Sequence, residues 1–301
     1  MADLGVIIPT RNRIGPLFKC LESLVKQDCS KDKFEIFVVE DGCSSNIKGL
    51  VNDIAVCGNN IRYLSNNKKS GASATRNLGL KICHSEIIAF VDDDCRLPAN
   101  WVRNILYYHS KYPDAKVIQG EVLADSLKSI FEISEYLIYS VFFKKSIYEH
   151  NGIKSIDILN AANLSLKRSI IDDKTLFFRE DFKFSEDIDL SNRILSKGTI
   201  FFYVEDIKAY HSYSSDIFSF IRRGIRDGRG EYLIKCSKGA PKQDKITGIR
   251  GINFFNFMVK LYFREFSIGK SMVLTQLHIL RCLLRRLGFV FQLVVMAIIK
   301  T

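Results

Sequence analysis

Four short apolar runs, LGVIIPT, FEIFVVEDG, IRYLSNN and EIIAFVDDD, recur through the N-terminal third of the chain, and polar or turn-forming residues cut each one off. Between them the apolar period lengthens. In PLFKCLESLVKQ, residues Leu17, Cys20, Leu21, Leu24 and Val25 share one helical stripe, and Asn46–Val56 has the same character. SGASATRNLGLKIC reads as a small-residue loop entering a third helix. Strands alternating with helices restrict the fold to a mostly parallel, Rossmann-like α/β sheet flanked by helices. A continuous run such as IIAFV is apolar on both pleat faces, as a strand covered on both sides requires. In such sheets ligands bind beyond the carboxyl ends of the strands. The polar punctuation falls at those ends: Thr10 and Arg11, Glu40 and Asp41, then Asp92, Asp93 and Asp94.

Past Trp101 the pattern loosens. WVRNILYYHSKYP reads as a helix and KVIQGEVLA as a strand. Ile130–Tyr148 reads as an aromatic-rich amphipathic helix and TIFFYVED as a further strand. From Phe218 onward the chain is basic and helical in pattern. The formal net charge is +11, and residues 218–301 alone carry 16 Lys/Arg against 4 Asp/Glu. The expected division is therefore an α/β domain over residues 1–217 and a basic helical extension over residues 218–301. Such an extension seeks an anionic partner: lipid head groups, nucleic acid or an acidic protein. Its aromatics and leucines lie in apolar helical runs (FFNFMVKLYFREF, HILRCLLRRLGFVFQLVVMAII), which suits a membrane surface and weakens the case for nucleic acid.

The longest apolar stretch, Leu287–Ile299, covers about 13 residues, short of the ~20 that a spanning helix needs. The start, MADLGVIIPTRNR, lacks the pattern of a signal peptide. The eight cysteines are scattered without close Cys/His pairing, as reduced thiols in a cytosolic protein would be. The expected location is cytoplasmic, with peripheral attachment to the inner face of the cell membrane.

The aspartate triplet carries the chemistry. In an extended chain Asp92 and Asp94 face one way and Asp93 the other. Carboxylates at that spacing can share a hard cation, Mg2+ or Mn2+, leaving the third to accept hydrogen bonds from a ribose. His211, after a strand end in KAYHSYSS, is the candidate third ligand. Gly71 and its small neighbours let the backbone approach a ligand closely, and Arg76 can contact a base or a phosphate. In FSEDIDL, Asp187 is the candidate general base and Glu186 the group gripping an acceptor. The NAAN turn offers Ala162 and Asn163 beside that acceptor. RRGIRDGRG reads as a basic clamp on a diphosphate or as an ordinary helix terminus.

Six stretches in this order, VIIPTRNR, FVVEDGCS, SGASATRNLGL, IIAFVDDDCRLPANWV, NAANLSLKR and FSEDIDLSNRILSKG, resemble the family 2 glycosyltransferases of the GT-A fold. The resemblance runs from Val6 to about Gly230. It implies inverting transfer of a sugar from a nucleotide diphosphate sugar, UDP-linked by default, to a hydroxyl of a glycan, a polysaccharide or a lipid-linked acceptor. It also implies that Pro9, Thr10, Arg11, Glu40, Asp41, Gly71 and Arg76 line the donor site. Asp92 and Asp93 would contact the nucleotide, Asp94 would ligate the cation and Asp187 would act as base. Pleat geometry pairs Asp92 with Asp94, whereas the resemblance puts Asp93 and Asp94 at the ligand. Glu40 stands where the family usually carries aspartate, and Cys43 where serine is common. Nucleotidyl transfer from a nucleoside triphosphate needs the same nucleotide, metal and paired acids, and is the rival enzymatic reading. A basic nucleic-acid-binding protein is the rival without catalysis.

Overall fold

The computed structural model describes residues 2–43, 45–66, 68–171, 178–236 and 252–300. The chain forms two compact units. One comprises Met1–Asp125 and Ile147–His211, the other Ser126–Ser146 and Ser212–Thr301. Charge alone placed a single cut near residue 217. The structure divides the chain after His211 and groups Ser126–Ser146 with the C-terminal helices, because the apolar stripe of that segment packs on them.

In chain order the first unit begins with β1 (Leu4–Thr10), α1 (Ile14–Val25), β2 (Phe34–Asp41), α2 (Ser45–Val56), β3 (Ile61–Asn66) and α3 (Ala72–Ile82). It continues through β4 (Ile87–Phe90), β5 (Cys95–Arg96), α4 (Trp101–Lys111) and β6 (Val117–Ala124). After α5 (Ile130–Lys144), which belongs to the second unit, come β7 (Ile147–His150), β8 (Ile153–Ile156), β9 (Leu164–Lys167), α6 (Glu186–Leu195) and β10 (Phe201–His211). The sheet runs β3-β2-β1-β4-β9-β6-β10-β8-β7, with β5 paired to β10.

The expected parallel pattern holds for β3, β2, β1 and β4 and again for β6 with β10. Strand β9, however, lies antiparallel between β4 and β6, so the sheet is mixed. The run IIAFVDDD is not one strand either. Strand β4 stops at Phe90, and the aspartates form a turn closed by the Cys95 N–H donating to the Asp92 carbonyl at 3.1 Å. Carboxylates gain nothing from a parallel ladder, and three in a row repel one another, so the backbone turns as soon as the apolar residues end. The expected helix over 130–148 stops at Lys144, and Ile147 begins a strand.

The core explains the placement of the strand ends. All eight residues of β2 are buried, Glu40 and Asp41 included. Helix α3 lies directly on β1: a Cβ on Gly79 would come within 2.6 Å of Ile7 Cγ2. That contact fixes the start of α3 close to the carboxyl ends of β1 and β2.

The second unit contains α5, α7 (Ile217–Cys236), α8 (Ile252–Glu265) and α9 (Ile268–Lys300). A capping box starts α5, with Ser129 and Glu132 each accepting the other's backbone N–H. Phe254, Met258 and Tyr262 of α8 pack with Leu274 of α9 and with Ile133, Leu137 and Val141 of α5. A buried ionic network ties three helices: Arg281 on α9 meets Glu135 on α5 at 3.1 Å and Asp227 on α7 at 2.9 Å, and Tyr139 donates to Asp227 at 2.5 Å. RRGIRDGRG lies inside α7 and not at its terminus. Among the described residues, no helix is long and apolar enough to cross a membrane.

Candidate active site

The site is built at the carboxyl ends of β1, β2 and β4. Thr10, the last residue of β1, donates to Asp93 Oδ2 at 2.7 Å. Arg13 spans the next two carboxylates, donating to Asp93 Oδ1 and to Asp94 Oδ2 at 2.7 Å each. Asp93 is thereby turned inward. Burial pushes its carboxyl up to about 7; Arg13 and Thr10 work against that rise, and the charges of Asp94 and Asp92 add to it.

Asp92 and Asp94 converge with His211, their ligand atoms all within 4.8 Å of one another. His211 Nε2 lies 3.3 Å from Asp94 Oδ1 and 4.0 Å from Asp92 Oδ2. The register of the sheet accounts for this meeting. The end of β10 pairs antiparallel with β5, which sets His211 opposite Cys95, one residue past Asp94. Two carboxylate oxygens and one imidazole nitrogen form a hard to intermediate donor set that suits Mn2+ or Mg2+.

Arg76 on α3 joins this cluster to the second acidic segment. Its guanidinium donates to Asp92 Oδ1 at 2.8 Å and to Glu186 Oε1 at 2.7 Å, and stacks 5.4 Å from the Phe178 ring centroid. Burial lowers the Arg76 pKa, but Asp92 and Glu186 outweigh it and the net shift is upward. Asp187 follows at the first turn of α6, where its carboxylate accepts the Ile188 N–H at 2.9 Å. Burial raises the Asp187 carboxyl to about 7, Glu186 adds to the rise, and Arg76 opposes it. Asp189, only two residues on, is buried between Arg193 at 2.8 Å and Arg179 at 3.6 Å and serves the fold.

The start of α3 is stitched to the chain that leads into α6. Asn77 donates to the Phe178 carbonyl at 2.8 Å and accepts the Phe178 N–H at 3.0 Å, and Ser73 donates to the Phe182 carbonyl at 3.0 Å. These bonds hold Glu186 and Asp187 against Arg76.

Glu40 and Asp41 end β2. Tyr63 donates to Glu40 Oε2 at 2.7 Å. Asp41 accepts the backbone N–H groups of Ser70 and Gly71 at 2.6 and 3.1 Å, and Arg11 lies 3.9 Å from it. Asp41 therefore shapes the loop before α3. Gly71 sits there with φ +92, a conformation that L side chains rarely adopt. Pro9 is half-buried within β1.

The NAAN turn is different from the expectation. Ala162 is 2% exposed and Asn163 1%. The Asn163 amide accepts from Trp101 Nε1 at 2.9 Å and donates to the Glu121 and Ile207 carbonyls at 2.9 and 2.8 Å. Its donors and acceptor are engaged within the fold, so Asn163 is a core pin between α4, β6 and β10 and not a surface for an acceptor. Ala162 is buried beside it.

The comparisons with known proteins bear on this geometry. The model for glycosyl transferase family 2 matches residues 5–170, more than half of the chain. The chain belongs to glycosyl transferase family 2. Among curated relatives of this family 2 chain, glycosyltransferase AglE of Haloferax volcanii is 30% identical over 99 residues, 33% of each protein. The poly(ribitol-phosphate) β-N-acetylglucosaminyltransferase TarP of Staphylococcus aureus is 28% identical over 173 residues, 51% of this chain and 52% of TarP. These matches span a third to a half of the relatives' own lengths. The mannosyltransferase PcManGT of Pyrobaculum calidifontis, solved with GDP-Man and Mn2+, superposes with a TM-score of 0.67 at 15% identity, covering 96% of this chain and 87% of that one. TarS 1–349 of S. aureus with UDP-GlcNAc gives 0.56 at 16% identity, covering 91% and 70%. The fold of this family 2 member is accordingly the GT-A fold.

Two residues of the site, Arg13 and Tyr63, are not marked in the sequence, and Asn77 stands out there only as the neighbour of Arg76. Arg13 lies beyond a strand end with no pattern to mark it. Tyr63 sits mid-strand, where an aromatic is ordinary. Asn77 lies inside a helix as one polar residue among several. Each is recognised only by what the fold brings against it.

Proposed function

We propose that this family 2 protein transfers a sugar, with inversion, from a nucleotide diphosphate sugar to an acceptor hydroxyl. The observation that carries the reading is the pair of acidic groups joined by Arg76: the Asp92–Asp94–His211 cluster on one side, Glu186 and Asp187 on the other. Asp92, Asp94 and His211 would hold a divalent cation, Mn2+ or Mg2+. When bound, that ion supplies Lewis-acid stabilisation of the charge that develops on the leaving diphosphate.

The remaining chemistry belongs to the chain. Asp187, raised to about 7, is matched to accept the proton of the attacking hydroxyl near neutral pH. Arg76 keeps Glu186 oriented toward the acceptor side. Thr10, Arg11, Glu40, Asp41 and Gly71 line the ends of β1 and β2 and the start of α3, where the base and ribose would lie, with Pro9 shaping the end of β1. Asp93, held by Thr10 and Arg13, would meet the nucleotide once Arg13 is drawn toward the diphosphate. UDP is the expected nucleotide, and the acceptor is a glycan or a lipid-linked hydroxyl compound.

The test is donor binding followed by turnover. Thermal shifts are measured with UDP- and GDP-sugars, each with and without Mn2+. A metal-dependent shift that Asp94→Ala abolishes is expected, followed by release of the nucleoside diphosphate with an acceptor. Release of pyrophosphate from a nucleoside triphosphate, with no response to any sugar donor, overturns the reading.

A further inference from the structure

Helix α9 is apolar on its outward as well as its inward side. Its inward face buries Leu274, Leu277 and Leu284 together with the polar residues Ser271, His278, Arg281 and Gln292. Its outward face carries large apolar residues, Met272, Val273, Leu287, Phe291, Leu293 and Val294 among them, exposed by 42–62%. A helix on the surface of a water-soluble bundle keeps its outward face polar. At 100° per residue the sector from Leu293 round to Val273 and Phe291 is about 160° wide, and from Met272 to Val294 it runs for about 33 Å along the axis.

The inward face packs by a second rule that agrees with the first. Helices α7 and α9 meet backbone to backbone. A Cβ on Gly228 would come within 1.9 Å of the Arg285 carbonyl oxygen, and one on Gly288 within 2.0 Å of the Ile225 carbonyl oxygen. Gly224, one turn before Gly228, faces Leu284 in the same way at 2.9 Å. Small residues at the seam, polar pairs inside and large aliphatics outside is how helices associate when their outer surroundings are hydrocarbon.

We propose that the outward face of α9 is a docking surface for an anionic lipid bilayer, on which the helix lies in the interfacial plane. Two features select lipid over a second copy of the chain. A seam between two helices uses a narrow stripe at a and d positions, and the sector here is far broader. Residues 218–301 carry 16 bases against 4 acids, and Arg286, on the border of the apolar sector, is exposed. That charge complements acidic head groups and repels another copy of itself. The helix does not span: no described helix meets the length and hydropathy that crossing requires. This surface stands apart from sugar transfer, because vesicle binding is read without donor or acceptor.

The experiment uses the full chain with phosphatidylcholine vesicles containing or lacking phosphatidylglycerol, at low and at high salt. The protein should float with phosphatidylglycerol vesicles at low salt and partition less at high salt. A triple variant, Leu283→Glu, Leu287→Glu and Val290→Glu, should bind about a hundredfold more weakly and keep its melting temperature, since all three side chains are exposed. Leu287→Trp gives a reading that does not depend on the triple variant. Its emission should move to the blue and be quenched by brominated lipid chains, against the constant background of Trp101, which is fully buried. Equal flotation of the wild type and the triple variant, or a Leu287→Trp emission that vesicles leave unchanged, overturns the proposal. So does a concentration-dependent dimer that the triple variant abolishes while neither form binds vesicles.

Discussion

Arg76 and Glu186 are separated by 110 positions, yet the guanidinium donates to the carboxylate at 2.7 Å while its other nitrogen holds Asp92 at 2.8 Å. One buried cation thus neutralises a carboxylate of the candidate donor site and another of the candidate acceptor site. Arg76→Met removes it and leaves both acids close together. Stability should fall by about 3 kcal/mol, the scale for breaking a buried pair from one side. Because Arg76 opposes the rise at Asp187, the acid limb of the pH–rate profile should also move to higher pH. Melting and a pH–rate series read the two effects separately; an unmoved limb would show that Arg76 does not act on Asp187.

Asp187 must be ionised to accept a proton, and its folded pKa is about 7. kcat/KM should therefore be flat above that value and fall about tenfold per pH unit below it. Asp187→Asn should cost roughly 10²–10⁴ in kcat and leave donor binding intact by calorimetry. A profile that stays level from acid to neutral pH removes Asp187 as the base.

Chelation should abolish the donor-induced thermal shift, and added Mn2+ should restore it. In Asp94→Ala the restoration should fail, because the cluster loses one of its three donors. His211→Ala should weaken the Mn2+ dependence by about 10- to 100-fold while keeping its sign. Donor binding that ignores metal in all three proteins would contradict the assignment.

Asn163→Ala leaves the Trp101 indole N–H and the Glu121 and Ile207 carbonyls without their side-chain partner. Each unsatisfied group costs about 1–3 kcal/mol, so a loss of about 3–5 kcal/mol is expected in denaturant melts. A variant of native stability with a raised acceptor KM would return Asn163 to the acceptor site.

His109 is 2% exposed and pairs with Ser165 Oγ at 3.0 Å. Burial, with Lys167 adding, lowers its pKa to about 4. The unfolded chain, with a histidine near 6.5, binds the proton first, so stability is lost as pH falls from about 6.5 toward 4. The loss over that window is up to about 3 kcal/mol. His109→Gln should flatten the acid side of a plot of melting temperature against pH, whatever its effect at pH 7. Parallel curves for the two proteins would assign the acid loss to other groups.

The elements of the first unit that were legible in the sequence are those whose signal is local. Apolar runs marked β1, β2, β3 and β4, and helical stripes marked α1 and α2. The alternation argument paired Asp92 with Asp94, and their ligand atoms do meet at His211, but the segment is a turn and Arg13 bridges Asp93 to Asp94. The antiparallel insertion of β9 was not legible, because LSLK has the same composition in either direction. The burial of Asn163 was not legible either, since an amide looks the same whether it faces a ligand or three core partners.

The sequence by itself determined the order of the first four strands and the helices between them, the concentration of base in the last quarter and the placement of acids at the strand ends. Burial preference and residue period act over a few neighbours and need no partner. Only the tertiary structure decided that His211 meets Asp92 and Asp94, that Arg76 joins Asp92 to Glu186, and that α9 leaves a broad aliphatic face exposed. Those outcomes rest on pairing register and on close backbone contact between residues distant in the chain, and no local pattern encodes which distant surface a side chain will meet.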